Sequence, residues 1–107
     1  MIVLFKYLIP KNYSGLTIYP FIFLKHHSNK WNKTLVNHEK IHLKQQAELL
    51  CLVFFVWYFL EYIFRLIQYK NHYNAYKNIC FEKEAYTNEK DVNYLQNRKR
   101  FAFLKYL

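Results

Sequence analysis

Residues 38–42 read His38-Glu39-Lys40-Ile41-His42, the H-E-x-x-H spacing. Four residues on a helix make slightly more than one turn, so both imidazoles project from one face. Placed so, they can hold one Zn²⁺ at about 2.0–2.1 Å each. Glu39, beside the first histidine, can reach a water on that metal without ligating it. It would take the water's proton as general base while the metal lowers the water's pKa. A solvated helix face carrying two histidines would show the same spacing, so the third ligand matters.

A catalytic zinc needs three protein ligands and one open position. Downstream, three of the seven acidic residues fall in the segment Phe81-Glu82-Lys83-Glu84-Ala85-Tyr86-Thr87-Asn88-Glu89. On a helix Glu82 and Glu84 point about 200° apart, so only one can face the metal. Glu82 shares its face with Ala85, Tyr86 and Glu89, and the small Ala85 lets this helix lie close to the motif helix. Glu84 shares its face with Lys83, Thr87 and Asn88, as solvent-exposed positions would. Glu82 is therefore the expected third ligand and Glu84 the alternative. An exposed acidic face pairing with Lys83 and Lys90 is the reading without chemistry.

Other groups carry less. Gln45 and Gln46 lie one turn beyond His42 and could orient it by hydrogen bonding, or serve simply as helix formers. His26 and His27 are adjacent and cannot chelate one ion with helical geometry, so they read as surface residues. His72 falls in a polar loop. A peptidase also needs an electrophile for the oxyanion, and among eleven tyrosines Tyr86 and Tyr94 lie on the expected ligand helix.

These side chains need helices to position them. No Gly or Pro occurs from Thr34 to Leu107, so that stretch can be helical almost throughout. Asn32 or Thr34 can cap a motif helix over 34–48. An apolar helix follows over 49–69, then a polar break at 68–78, a ligand helix over 79–96 and a basic, aromatic tail over 97–107. Before them, 2–9 and 16–25 are apolar and β-rich, and the Asn12–Gly15 turn between them suggests a short hairpin. Pro20 marks the second run as an edge strand or extended segment. The expected fold is a single small domain, mainly α with a short N-terminal β-hairpin.

Composition narrows the function classes. At 107 residues the chain holds one small domain, and 53% hydrophobic residues exclude a disordered one. Its single glycine, Gly15, excludes phosphate-binding glycine loops and dinucleotide fingerprints. Cys51 and Cys80 are too few for a disulfide framework and read as buried thiols. Sixteen Lys and Arg against seven Asp and Glu give a net charge of +9, which suits an anionic neighbour. An ordinary solvated surface on a basic protein is the alternative. Because the cations are spread along the chain rather than confined to one stripe, they argue against a protein whose charges alone do the work. Nucleic acid is not an expected partner. The first ten residues carry Lys6 and lead to no small-residue cleavage site, so no secretory signal is expected.

Leu49 to Ile67 has only two charges, Glu61 and Arg65, spaced to pair within a helix. It is either the central core helix of a soluble domain or a membrane anchor of nearly spanning length. The abundant Tyr and Trp and the positive charge place the chain at a membrane in preference to the cytoplasm.

HEKIHLKQQAELL followed by FEKEAYTNE resembles the gluzincin class of zinc metallopeptidases, over about residues 34–95, and is similar to small bacterial proteins. The resemblance implies a single minimal zincin-like domain over 1–107, zinc as cofactor, His38, His42 and Glu82 as ligands, Glu39 as base, and a peptide or protein as substrate. A thermolysin-like alignment would instead place the ligand at Glu84. Where many gluzincins carry a histidine-orienting Asp, four residues after the ligand Glu, this chain has Tyr86. The expected function is thus a zinc-dependent peptidase, and Leu16–Leu24 could pair with substrate backbone as an added strand. The alternative is a non-catalytic, membrane-associated or nucleic-acid-binding basic protein with a structural or vestigial metal site, its binding patch at Arg98–Tyr106.

Overall fold

Asn32 starts the central helix as a side-chain cap, its Oδ1 accepting from the Leu35 amide at 3.1 Å, and α1 runs Lys33–Glu48. The computed structural model describes residues 2–4, 9 and 13–107. Pro20 lacks an amide for a β-ladder and divides the second apolar run at a tight turn. β2 (Gly15–Ile18) and β3 (Phe21–Leu24) result, paired antiparallel with Gly15 opposite Leu24 and Ile18 opposite Phe21. β1 (Ile2–Leu4) joins β3 on its other side in parallel, giving the order β1-β3-β2.

The domain is therefore mainly α with a short N-terminal β element, as expected, but the hairpin lies inside 15–24. A tight turn cannot join the parallel strands β1 and β3, so the hairpin expected between 2–9 and 16–25 does not form. Residues 5–8 and 10–12, including part of its expected turn, lie outside the described residues.

α1 ends without glycine: Leu50 and Cys51 take positive φ (55° and 41°) and turn the chain into α2, Leu52–Tyr69. Lys70 closes α2 in the left-handed region. The polar segment read as a break holds a short helix, α3 (His72–Lys77), because Asn71 caps it through the Asn74 amide. The ligand helix is shorter than the expected 79–96. α4 covers Cys80–Asn88, and α5 is only Tyr94–Asn97. Between them Asp91 turns the chain by accepting from the Asn93 amide at 3.0 Å. Short 3₁₀ turns fill His27–Trp31 and, within the expected tail, Ala102–Tyr106.

α1 lies between the sheet and α4. The core cluster is Phe54, Ile79, Cys80, Phe81 and Phe103, flanked by Trp57, Tyr58 and Tyr62. α2 touches this cluster along one side only and buries just Phe54 and Glu61. Most of this helix is therefore exposed rather than enclosed by the domain's core. Cys80 is buried as expected but Cys51 only half-buried, and both thiols are free.

Candidate metal centre

Asn37 Nδ2 donates to the carbonyls of Glu89 (2.8 Å) and Asp91 (3.0 Å), which ties the first turns of α1 to the end of α4. Within two turns of these contacts, His38, His42 and Glu82 converge, all buried. Glu82 Oε1 lies 3.2 Å from His38 Nε2 and 3.1 Å from His42 Nε2, and the two Nε2 atoms are 3.2 Å apart. Four-coordinate tetrahedral bonds of about 2.0–2.1 Å require ligand atoms about 3.3 Å from one another. Two imidazole nitrogens and a carboxylate oxygen at these separations can hold a metal ion. The required closeness comes from Ala85, fully buried one turn after Glu82.

Each ligand is held from behind. Gln45 Nε2 donates to the Phe81 carbonyl (3.1 Å) and Glu84 Oε1 (2.9 Å), so its Oε1 is left to accept from His42 Nδ1 at 2.8 Å. That bond puts a proton on Nδ1 and aims Nε2 at Glu82. Gln45 thus orients His42, one of the two roles the sequence allowed it. The Tyr58 hydroxyl donates to Glu82 Oε2 at 2.6 Å and fixes the carboxylate's other oxygen. Tyr86 packs its ring against His38 at 4.4 Å, and Glu89 Oε2 stands 3.4 Å from His38 Nδ1, which makes no aligned hydrogen bond. The carboxylate facing this histidine comes from seven residues after the ligand rather than four.

Burial works against a charged His42, yet the charge and hydrogen bond of Glu82 outweigh it, with Glu39 and Gln45 adding to the effect. The imidazole rises from 6.5 to about 9. Burial likewise opposes ionisation of Glu82, and the two imidazoles overcome it, holding its carboxyl far below the usual range. The third ligand is therefore anionic at neutral pH, as metal binding requires.

Glu84 does not complete the site. Its position, expected to be solvent-exposed, is fully buried, and its carboxylate bonds Arg98, Gln45 and Tyr94. Arg98 in turn makes a bidentate pair with Glu48 at 2.9 and 3.1 Å, so it is withdrawn from the basic tail. Nor is Tyr94 on the ligand helix: it sits on α5 and serves Glu84. The acidic segment is no exposed face, since Glu82 and Glu84 are both buried.

Glu39 is buried beside the three ligands and lines the same cleft of about 500 Å³. The Thr17 hydroxyl donates to Glu39 Oε1 at 2.6 Å, while a Cβ on Gly15 would sit 3.2 Å from Glu39 Cγ and Oε2. The chain's one glycine thus lets β2 approach the carboxylate. Gln46 clamps β2 to α1, donating to the Thr17 carbonyl (2.8 Å) and accepting from the Tyr19 amide (2.7 Å). Aromatic side chains form the cleft's other wall, among them Phe55, Tyr58 and Tyr76. His72 also reaches this wall, between the hydroxyls of Tyr62 (2.8 Å) and Tyr13 (3.2 Å). His26 and His27 are exposed, as read from sequence.

Thr17, Tyr58 and Asn37 were not singled out from sequence, and His72, read as a polar-loop residue without a role, instead starts α3 and lines the cleft. Only Gly15, as the single glycine in a β-rich run, offered a local signal of close backbone approach. No family model, curated protein or solved structure matches the chain, and what identifies the centre is its geometry.

Proposed function

We propose that the chain is a zinc-dependent peptidase of zincin type, as its resemblance to the gluzincins implies. The observation that carries this reading is the mutual 3.1–3.2 Å spacing of His38 Nε2, His42 Nε2 and Glu82 Oε1. Two imidazole nitrogens, His42 giving up its Nε2 proton on binding, and one carboxylate oxygen are a zinc donor set that leaves a fourth position for substrate or water. A bound zinc would supply Lewis acidity toward water and toward the substrate carbonyl.

The chain's own groups do the rest. Thr17 immobilises one oxygen of Glu39 and leaves the other to take a proton from the attacking water and pass it to the leaving amine. Phe55, Tyr58 and Tyr76 form an apolar wall suited to a hydrophobic or aromatic side chain of the substrate. β2 borders the cleft, but Gln46 already occupies the Thr17 carbonyl and the Tyr19 amide. Backbone pairing with a peptide is thereby confined to the Gly15–Leu16 end of the strand rather than the whole of 16–24.

The test is hydrolysis of denatured casein by zinc-loaded protein and by its Glu39→Gln variant. The variant should keep zinc and lose turnover by 10²- to 10⁴-fold, roughly the worth of a general base. Zinc loss in Glu39→Gln would make Glu39 a ligand, and equal turnover in both proteins would remove its role as base. Zinc binding with no cleavage by either protein would leave a structural metal site.

A further inference from the structure

The helix that supplies Tyr58 to the metal centre turns its other side outward. Leu52, Val53, Val56, Phe59, Leu60, Phe64 and Ile67 are each at least half exposed, at 50–75%. At 100° per residue they fall, with Ile63, on one arc about 140° wide. The opposite arc carries Phe54, Trp57, Tyr58 and Glu61 into the domain. Only 11% of this apolar helix is buried, and by length and composition it could cross a membrane. Soluble monomers rarely expose a contiguous apolar patch larger than a few hundred Å².

The inner arc excludes a simple crossing. Phe54 packs on His42 and Phe81, Tyr58 bonds Glu82, Glu61 accepts from the Cys80 amide at 3.0 Å, and Tyr62 bonds His72. These contacts run from the first turn of α2 past its middle, so the helix lies flat against the domain. The pair Glu61–Arg65 forms as the sequence suggests, but Glu61 is committed to capping α4 and is not free to reach a lipid interface.

Charge identifies what covers the outer arc. Six of the seven acidic residues are withdrawn from the surface, in the metal centre or against Thr17, Arg65 and Arg98, and only Asp91 is exposed. Nine of the described Lys and Arg are exposed. The surface is thus almost purely cationic. The tail carries such charges toward the apolar arc: Leu107 borders the same groove as Leu52, Val56 and Leu60, Lys105 stands exposed two residues before it, and Lys99 and Arg100 are exposed earlier in the tail. Two copies meeting through this face would bring like charge to like, whereas an anionic lipid surface complements both the arc and its cations.

We propose that α2 and the C-terminal tail seat this chain on an anionic bilayer. α2 lies in the interface plane with its outer arc among the acyl chains, and Lys99, Arg100 and Lys105 contact the headgroups. This docking is independent of the peptidase reading.

The test is flotation with phosphatidylcholine vesicles made with and without phosphatidylglycerol. The protein should float with the anionic vesicles and far less with the neutral ones. The pair Leu60→Asp and Phe64→Asp should cut binding more than tenfold with the helical circular dichroism unchanged. If that pair fails to fold, Phe59→Ser carries the same comparison. Neutralising Lys99, Arg100 and Lys105 to Gln should weaken binding to anionic vesicles by roughly a hundredfold at low salt. Protein that stays with the soluble fraction, or outer-arc variants that float like the parent, would overturn the proposal. So would a stable dimer dispersed by Leu60→Asp, which would give the face to a second copy.

Discussion

α1 and α2 adjoin in sequence and reverse the usual places of polar and apolar residues. α1 buries Asn37, His38, Glu39, His42, Gln45 and Gln46, while α2, far more apolar, buries only Phe54 and Glu61. Burying an amide or a carboxylate costs several kcal/mol, roughly, unless a partner replaces water. In α1 nearly every such group has one: Gln45 and Gln46 each make bonds from both ends of the amide, and Glu39 has Thr17. Hydrophobicity therefore does not explain why α1 is central. It is central because its polar side chains are matched to partners on β2 and α4, which gives them fixed orientations. α2 poses the converse case, an apolar arc left to water that calls for a neighbour outside the chain.

The largest effects should come from the polar helix. Zinc in thousandfold excess over its dissociation constant should stabilise the protein by about 4 kcal/mol, read as a rise in Tm. His38→Ala or His42→Ala should abolish that rise. A rise that survives either change would place the metal elsewhere.

Next comes the contrast within α2. Phe54→Ala should cost about 3–5 kcal/mol in urea unfolding, whereas Leu60→Asp with Phe64→Asp should change stability by about 0.5 kcal/mol or less. Comparable losses on the two arcs would show that the outer one is packed in solution. Gln45→Ala should weaken zinc binding by roughly ten- to a hundredfold, because His42 Nδ1 loses its acceptor. Calorimetric affinities indistinguishable from the parent's would reduce Gln45 to a helix former. Thr17→Val should keep zinc affinity and lower turnover about tenfold, the worth of one hydrogen bond positioning Glu39.

The smallest effect is a pH slope. Burial opposes the charge on Glu84, but Arg98, Tyr94 and Gln45 hold its carboxyl below the ordinary value of 4.5. The unfolded chain then binds this proton more readily, so Glu84's contribution is complete above 4.5 and drains away as pH falls below it. Urea midpoints between pH 7 and pH 3 should fall less steeply for Glu84→Gln than for the parent. An identical slope would contradict the pairing.

The group that could hold a metal ion was legible because helical periodicity fixes which side chains share a face. His38, His42 and Glu82 required only that two segments be helical and adjacent. The partners that orient them were not legible, since Tyr58, Thr17 and Asn37 act across 22 to 54 positions of sequence and carry no local spacing. The fold class could be read from the absence of Gly and Pro after residue 34. α1 ends at Glu48, where that reading put it, although Leu50 and Cys51 rather than a glycine take the positive φ. The end of α4 could not be read, because Asp91 forms its turn without Gly or Pro. Glu84 looked exposed because Lys83 and Asn88 flank it, and its burial depends on Arg98, supplied by a segment beyond the helix.

Zinc competition titration of Glu82→Gln beside Glu84→Gln tests the metal centre most directly. Glu82→Gln removes a donor atom and should weaken binding by several orders of magnitude. Glu84→Gln acts only through Gln45 and should weaken it by at most about a hundredfold. The reverse ranking, or little change in either variant, would contradict the assignment of His38, His42 and Glu82 as the site.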